Sequence, residues 1–589
     1  MKILGISGHY HDSAAALVIG GLPVAAVQEE RLSRRKNDAA LPIAAVEFCL
    51  DHAGLSPDDL DAVIFYERPT LKFDRVLTTL LQGYPRSWRS YPKAMKNMLG
   101  EKLWVRGLIS SELGIPTRKV RCIEHHQSHA AAAFLTAPTQ EAAILTADGV
   151  GEWATLTVGR GAKNADGSTE ITLLRELRFP HSLGLFYSAV TSYLGFAVNE
   201  GEYKVMGLAS YGQSTWLDEM RRLLRPTGDG AFMLDMDYFD FQGRVESGFS
   251  DRFVDLFGPP RRSWQPIDLT SDEGRRYADI AASAQRLLEE VMVGIATDLQ
   301  RETGLSDLCL GGGVALNGVA NGRILNEAGF KRLFVPSAPG DAGCALGAAL
   351  YADRVLFERP HRAVPDHPFW GPQPDDAQLL RIAAEDRLTV ARTDDSSLVE
   401  QVADALARDQ IVGWVEGALE FGPRALGHRS ILAAPHDAAM RDRLNRDIKY
   451  REEFRPFAPV VAAEHADLFF DLPSGGARLS RFMSGVFPVR PEWRERLAAV
   501  THVDGTARVQ VLDRDMAPRL HALLEAYGRR SGIPVLLNTS FNLAGEPIVN
   551  NVAEAYSTFR RCGIDLLAAG NVSVTKARVA AAPSLEMVA

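Results

Sequence analysis

The sequence predicts an α/β protein in two lobes, the first of them internally duplicated. Three observations carry this. A buried strand, an acidic turn, a second strand and a glycine turn occur in that order twice, at residues 2–21 and 142–161. Residues 271–303 place apolar side chains at the spacing of one helical face. Pro360, Pro365, Pro368, Pro372 and Pro374 fall within 15 residues, a density that disfavours helix and sheet and marks a linker. The resulting division is a lobe over 1–355, a linker over 356–374, a second α/β lobe over 375–575 and an alanine-rich surface tail from 576 to 589.

The first pattern opens with Lys2–Ser7 as a buried strand, followed by Gly8, His11-Asp12, the apolar run Ala14–Ile19 and a turn at Gly20-Gly21. Its counterpart runs through Ala142–Ala147, Asp148-Gly149, Thr155–Val158 and a turn at Gly159–Gly161. Two hairpins of this kind arise in many proteins. Their recurrence suggests two related halves with a cleft-facing turn in each. The helix over 271–303 has Ser271 or Asp272 as its cap, the face Tyr277, Ile280, Ala284, Leu287, Val291 and Ile295, and Gly304 as its stop. The loop-rich segment 213–270 reads as an insertion. Its phenylalanines at 232, 239, 241, 249, 253 and 257 suit a packed excursion, or an apolar surface for a substrate.

Composition narrows the function. With 46% hydrophobic and 24% charged residues in 589, the chain is an ordinary globular enzyme, not a disordered, collagenous or disulfide-scaffolded protein. The sum of 65 Lys and Arg against 74 Asp and Glu is −9, which opposes sequence-independent binding to nucleic acid or to an anionic membrane. Cys49, Cys122, Cys309, Cys344 and Cys562 are odd in number and include no CxxC pair. They suit a reducing cytoplasm and argue against a disulfide framework or a thiolate zinc site. The longest apolar stretch, Ala14–Val27, is broken by Gly20, Gly21 and Pro23, so neither a signal peptide nor a membrane-spanning helix is expected.

Three motifs carry possible chemistry. In His125-His126-Gln127-Ser128-His129, followed by alanines, His125 and His129 are four apart on one helical face. Such a pair is found at metal sites, and equally in solvent or satisfied by carbonyls in a core. His126 stands where HExxH needs a glutamate, so a zincin is excluded. Asp148 and Asp341 add carboxylates, and two imidazoles with two carboxylates suit Fe²⁺, Zn²⁺ or Mn²⁺. The loop Gly311-Gly312-Gly313 allows close approach of backbone to a ligand, or simply a tight strand–helix turn; it is neither a P-loop nor GxGxxG. From Glu420 to Arg455 there are eight Lys or Arg against six Asp or Glu, a local +2. Arg441, Arg443 and Arg446 read as a solvated face. Arg424 and Arg455, set among Phe, Gly and Pro, read as pocket residues, and Arg508 is a further candidate. Pro534–Leu537 reads as a strand, with Asn538–Asn542 a polar turn after it.

Taken together, Met1–Ala16, His125–Ala133, Ala147–Gly149, Tyr203–Ala209, Gly311–Asn317, Gly340–Gly343, Phe421–Ser430, Glu453–Pro459 and Val535–Asn542 resemble the NodU/CmcH-type O-carbamoyltransferases, in order and over nearly the whole chain. The resemblance implies an actin/hexokinase-like (ASKHA) lobe of two ribonuclease-H-like halves, similar to the threonylcarbamoyl-transferring protein of tRNA modification, fused to a YrdC-like domain. It implies that the second lobe makes carbamoyl-adenylate from carbamoyl phosphate and ATP, with Mg²⁺ accompanying ATP. The first lobe would then move the carbamoyl group to a hydroxyl of a small, antibiotic-type acceptor. Carried onto this chain, His125, His129, Asp148 and Asp341 would hold Fe²⁺. Lys36, Lys204, Gly312, Gly313 and Asn317 would contact carbamoyl-adenylate. Arg424, Arg455, Arg508 and Asn538 would bind ATP and carbamoyl phosphate, and His11, as a histidine of near-neutral pKa, would be the general base. Neither nucleic acid nor membrane is an expected partner; a homodimer is the default oligomer. An actin-like sugar kinase, a tRNA threonylcarbamoyl-transfer protein and a metal-bound scaffold are the competing readings.

Overall fold

Two sheets of one design build the N-terminal lobe. In the first, β1 (Lys2–Ser7), β2 (Ala14–Ile19) and β3 (Leu22–Gln28) form an antiparallel meander, and β4 (Ala62–Phe65) and β5 (Val120–Cys122) add in parallel beside β1. The strand order is β3-β2-β1-β4-β5. The second sheet repeats it. β6 (Glu141–Ala147), β7 (Ala154–Lys163) and β8 (Thr169–Arg178) form the meander; after the small hairpin β9 (Leu224–Pro226) and β10 (Phe232–Leu234), β11 (Asp307–Gly311) and β12 (Arg332–Phe334) add in parallel beside β6. The order β12-β11-β6-β7-β8 is the same order in reverse listing. This is a duplicated ribonuclease-H-like α/β lobe, and the sequence repeat is its trace. The computed structural model describes residues 1–84, 87, 91–228, 230–241, 248–386 and 388–576. All of the expected tail beyond Lys576 lies outside the described residues.

Each half ends in a helix, His125–Leu135 in the first and Asp341–Tyr351 in the second, and the two pack against each other. Gly347 makes this possible. A Cβ there would lie 2.1 Å from the Ser128 carbonyl oxygen, so only glycine lets the backbones come this close. The long helix Asp272–Thr303 starts at Ser271, whose hydroxyl accepts from Gly274 N–H, and stops at Gly304 in the left-handed region.

Three expectations change. β7 does not turn at Gly159–Gly161 but runs on to Lys163. Its glycines are contact points: a Cβ at Gly159 would strike Thr172 O at 2.4 Å and one at Gly161 the Phe134 ring at 2.5 Å. The two readings of the insertion's phenylalanines narrow to the packed one, with Phe241 and Phe249 partly buried against the core that holds the other four. Phe232, Phe239, Phe253 and Phe257 are buried in the core built on the long helix. Asn538 is not in a turn, because the strand that contains it extends to Ser540.

That strand belongs to the C-terminal lobe. There β13 (Thr389–Arg392), β14 (Val412–Val415), β15 (Arg429–Ala433), β16 (Ala458–Ala462), β19 (Gln510–Leu512), β20 (Val535–Ser540), β21 (Leu566–Ala569) and β22 (Val572–Thr575) form one mixed sheet in the order β13-β22-β21-β14-β15-β20-β16-β19; β17 (Phe487–Pro488) and β18 (Thr506–Ala507) pair separately. β20 lies between β15 and β16, and pairing on both sides carries it through Asn538, opposite Leu432 and Ala458.

The proline-rich segment is stitched to both lobes. Trp370 O accepts from Ala26 N–H at 3.0 Å, Pro368 O accepts from Phe421 N–H at 2.7 Å, and Pro372 O accepts from Arg429 at 2.9 Å. The Phe369 ring stacks on His428 with centroids 3.5 Å apart. The lobes also clasp directly. Arg34 donates to Ile548 O at 2.7 Å and Pro547 O at 2.9 Å, and Lys204 pairs with Glu452 at 2.8 Å.

Candidate functional site

Four donors converge where the two terminal helices of the N-terminal lobe meet. Glu124 is the residue before the first helix, and the Glu152 carboxylate accepts from His125 N–H at 3.0 Å, so the helix begins with His125 fixed at its first position. One turn later His129 falls on the same face, as its spacing requires. The alanines that follow keep this helix thin enough to be buried against its partner. Asp148 follows the last residue of β6, its Oδ1 held by Gly313 N–H at 2.9 Å. Asp341 is the first residue of the second helix.

His125 Nε2 lies 3.1 Å from His129 Nε2 and 3.0 Å from Asp148 Oδ2. Asp341 Oδ1 is 3.6 Å from His125 Nε2 and 3.5 Å from His129 Nε2, and Asp148 Oδ2 is 3.6 Å from His129 Nε2. All four donor atoms lie within 4.8 Å of one another. Bond lengths of about 2.1 Å to a central divalent ion put neighbouring donors about 3.0–3.5 Å apart, which is the spacing seen here. Asp341 Oδ2 is buried without a hydrogen-bond partner, so this carboxylate is not satisfied by the protein alone. The residues therefore fit a divalent cation.

His11 stands beside this cluster. Its Nδ1 is 3.0 Å from Asp12 Oδ2 and its Nε2 is 4.0 Å from Asp341 Oδ2. Burial pulls its pKa down, but the carboxylates of Asp341 and Asp12 outweigh burial and push it up to about 9. The near-neutral imidazole expected from sequence is thus displaced by its neighbours. Behind the cluster, Cys344 Sγ lies 3.3 Å from His129 Nδ1.

A cavity of about 790 Å³ opens from these residues into the gap between the lobes. The N-terminal lobe lines it with His11, Asp148, Asp341, Lys36, Lys204, Gly313 and Asn317; the C-terminal lobe lines it with Arg424, Arg455, Arg508 and Asn538. His125, His129 and Gly312 are not on its wall. Gly312 serves the chain turn instead: its N–H goes to Pro339 O, and a Cβ would lie 2.2 Å from Ala147 O. Asn317 also has structural partners, capping the helix Gly318–Glu327 through Ala320 N–H and exchanging hydrogen bonds with Gln285. Lys36 is paired with Glu200.

The C-terminal end of the cavity is crowded with cations. Arg424 donates to Leu316 O across the lobes at 3.1 Å, and burial pulls its pKa down to about 9. Arg508 is pulled to about 10 by burial and then by Arg455. The Arg455 guanidinium lies over the Tyr203 ring at 4.6 Å. Sequence reasoning assigns three arginines here; the structure adds Lys449 and Arg451. Both are pushed well below their ordinary values, first by burial, then by Arg451 and Arg455 for Lys449 and by Arg455 for Arg451. Lys449 Nζ reaches Asn542 Oδ1 at 2.8 Å, so the polar stretch after β20 is its seat. A signal for these two was present, since they share the stretch 448–459 with Arg455. The expected solvated face is observed: Arg441 pairs with Asp442, Arg443 with Asp565 and Arg446 with Asp447. Glu452, 3.6 Å from Arg455 and shared with Lys204, is the carboxylate set against these cations, and a bound polyanion would offset the remaining positive charge.

Residues 2–350 match the family described as carbamoyltransferase N-terminus, and residues 403–576 match carbamoyltransferase C-terminus. The chain belongs to the carbamoyltransferase family. Among its relatives, the uncharacterised protein sll1178 of Synechocystis is 42% identical, over 98% of this chain and 96% of its own. The nodulation protein NolNO of Sinorhizobium fredii is 37% identical over 96% of this chain and 79% of its own. The 3'-hydroxymethylcephem-O-carbamoyltransferase of Amycolatopsis lactamdurans is 34% identical over 45% and 48%. Among solved structures, HypF of T. kodakarensis covers 61% of this carbamoyltransferase and 48% of its own chain, at 14% identity and a TM-score of 0.30. Among the described residues, no helix is long and apolar enough to cross a membrane.

Proposed function

We propose that this carbamoyltransferase is an O-carbamoyltransferase that uses carbamoyl phosphate and ATP, with a carbamoyl-adenylate passing between its lobes. The observation that carries the reading is one cavity whose wall has a cation cluster at one end and, at the other, His11 with Asp148 and Asp341 of the four-donor cluster. The C-terminal lobe, read as YrdC-like, would form the adenylate. The balance needs one water: carbamoyl phosphate loses phosphate to it, and the freed carbamate oxygen attacks the α-phosphorus of ATP, expelling pyrophosphate. Arg424, Arg455 and Arg508, with Lys449 and Arg451, hold the phosphates and offset the charge that gathers on the leaving pyrophosphate. Asn538 has its Oδ1 buried and unpartnered, which makes it an acceptor for a ligand N–H.

In the N-terminal lobe the acceptor oxygen attacks the carbamoyl carbon and AMP leaves. His125, His129, Asp148 and Asp341 would hold a divalent cation such as Fe²⁺; when bound it neutralises phosphate charge and offsets the carboxylates beside His11. His11 takes the proton of the attacking hydroxyl, and Asp12 on its Nδ1 orients the ring. Lys36 and Lys204 line the path and face the adenylate phosphate. Passage through the gap between the lobes shortens the adenylate's exposure to bulk water. A relative named for carbamoylating a hydroxymethylcephem supports a hydroxyl acceptor.

The test is incubation with carbamoyl phosphate, ATP, Fe²⁺ and a panel of hydroxylated natural products, read by a carbamoyl mass shift and by AMP. His125→Ala should retain pyrophosphate release and lose transfer. Normal transfer by that variant refutes the assigned donor set.

A further inference from the structure

The helix Pro69–Gln82 and the turn Lys102–Trp104 bring a set of charges up to Tyr10, the cavity-lining ring that sits against His11 with centroids 4.4 Å apart. Most of these charges are spoken for. Lys72 pairs with Glu67 at 2.6 Å and lies 5.5 Å over the Tyr10 ring. Arg68 pairs with Glu124 at 3.2 Å. Asp74 accepts from Trp153 Nε1 at 3.1 Å, and Glu152 accepts from the N–H groups of Arg68 and His125.

Arg75 is different. Its Nε is buried with no hydrogen-bond partner, and among the described residues no carboxylate is within ion-pair distance of it. Its guanidinium rests on the face of Phe179 at 5.3 Å. Burial lowers its pKa, which Tyr10, Glu67 and Glu152 oppose from further away. Lys102, which also feels Glu67, likewise has no ion pair among the described residues, and burial lowers it too. Arg75 is therefore a cation left over beside Tyr10, behind the cavity wall that Tyr10 forms, and Lys102 lies further out next to Lys72 and Glu67.

A guanidinium with free donors on an aromatic face is built for a planar or tetrahedral oxyanion. We propose that Arg75 is the acceptor-recognition residue, and that the acceptor carries an anionic group, a carboxylate or a phosphate, near the hydroxyl that receives the carbamoyl group. The assignment rests on the carbamoyl-transfer reading above. A molecule anchored on Arg75 past Tyr10 presents its other end to His11 and Asp341. Asp341 and Asp148 would repel an anion placed among them, so the anchor belongs on Arg75 and the neutral hydroxyl by the histidine.

Glucuronate, glucose 6-phosphate and glucose share one polyol frame and differ in the anionic group. Calorimetric titration of each into the full-length protein should show one or both anions binding at least about tenfold tighter than glucose, the value of one net charge-assisted hydrogen bond. Preference for glucuronate names a carboxylate, and preference for the ester a phosphate. Arg75→Gln should erase the preference and leave glucose unchanged, and Arg75→Lys should recover part of it; thermal melting checks that each variant is folded. Lys102→Gln, at a more exposed position, should lower the preference in the same direction. Equal binding of all three, no anion binding in the millimolar range, or a preference that survives Arg75→Gln overturns the assignment. Pyrophosphate release by the parent protein from ATP and carbamoyl phosphate reads the proposed function separately. Its absence with the anion preference intact refutes that function and not the recognition site; its presence without the preference does the reverse.

Discussion

Cys344 Sγ faces His129 Nδ1 at 3.3 Å, while Nε2 of the same ring faces the carboxylates of Asp148 and Asp341. Cys344 lies one helical turn after Asp341, so a single helix delivers a carboxylate donor and a sulfur placed to accept the Nδ1 proton of an imidazole donor. With the Nδ1 proton directed at sulfur, the Nε2 lone pair is left for a cation. Removing such a supporting group costs about 10- to 100-fold in metal affinity. Loaded with a divalent cation, Cys344→Val should therefore lose it to a chelator about tenfold more readily than the parent, and Cys344→Ser should stay close to the parent. Metal retained after graded chelator dialysis measures both.

Arg508 should behave as a residue kept for a ligand and not for the fold. Its Nε is buried and unpartnered, and burial with Arg455 pulls it down to about 10. Arg508→Met replaces an unpaired buried cation by an apolar chain, so the ligand-free protein should be as stable or more stable by about 1 kcal/mol. Stabilisation by ATP should fall sharply. Melting curves with and without ATP give both numbers, and a large loss of ligand-free stability contradicts the assignment.

Acid should loosen the strap between the lobes. His428, stacked on Phe369, donates from Nδ1 to Ala418 O at 2.6 Å, and burial lowers its pKa to about 4. The unfolded chain takes up this proton near pH 6.5, whereas the folded protein resists until about pH 4. Stability is thus complete above pH 6.5 and declines as pH falls through that window, by up to about 3 kcal/mol from this one group. His428→Asn keeps a donor near Nδ1 and cannot titrate. Denaturant midpoints from pH 7 to pH 4 should fall less steeply for it.

Gly347→Ala should separate the two donor helices. The added Cβ would sit 2.1 Å from Ser128 O, a backbone atom that cannot rotate away. We expect a loss of about 1–3 kcal/mol, typical of overpacking, together with weaker iron retention. Unaltered iron retention would show that the donors do not depend on this close approach.

The parts legible in the sequence were those governed by local pattern. The repeat of strand and acidic turn is visible because buried strands read as apolar runs, and it led to two sheets of one topology. The helix from Asp272 to Thr303 announced its cap, face and stop. His125 and His129 were readable as a facing pair, and the family resemblance joined Asp148 and Asp341 to them. Contacts made at long range were not legible. Nothing local shows that Gly159 and Gly161 lie inside a strand, since cross-strand neighbours decide it. Asn538 was misread for the same reason. Lys449 and Arg451 share a stretch with Arg455, but their burial depends on partners brought in by the fold, Asn542 for Lys449 and Phe457 for Arg451. The raised pKa of His11 comes from Asp341, 330 positions away in the chain.

The matched topology of the two halves has a consequence for how the site is shared. His125 and His129 stand on the closing helix of the first half; Asp148 and Asp341 both belong to the second. The scaffold is pseudo-symmetric and the donor set is not. Two identical copies would have set imidazoles against imidazoles or carboxylates against carboxylates. A mixed nitrogen–oxygen donor set needs the copies to diverge, one supplying imidazoles and the other carboxylates. Neither half, expressed alone, holds a complete set of donors, and the seam between them is where the chemistry resides.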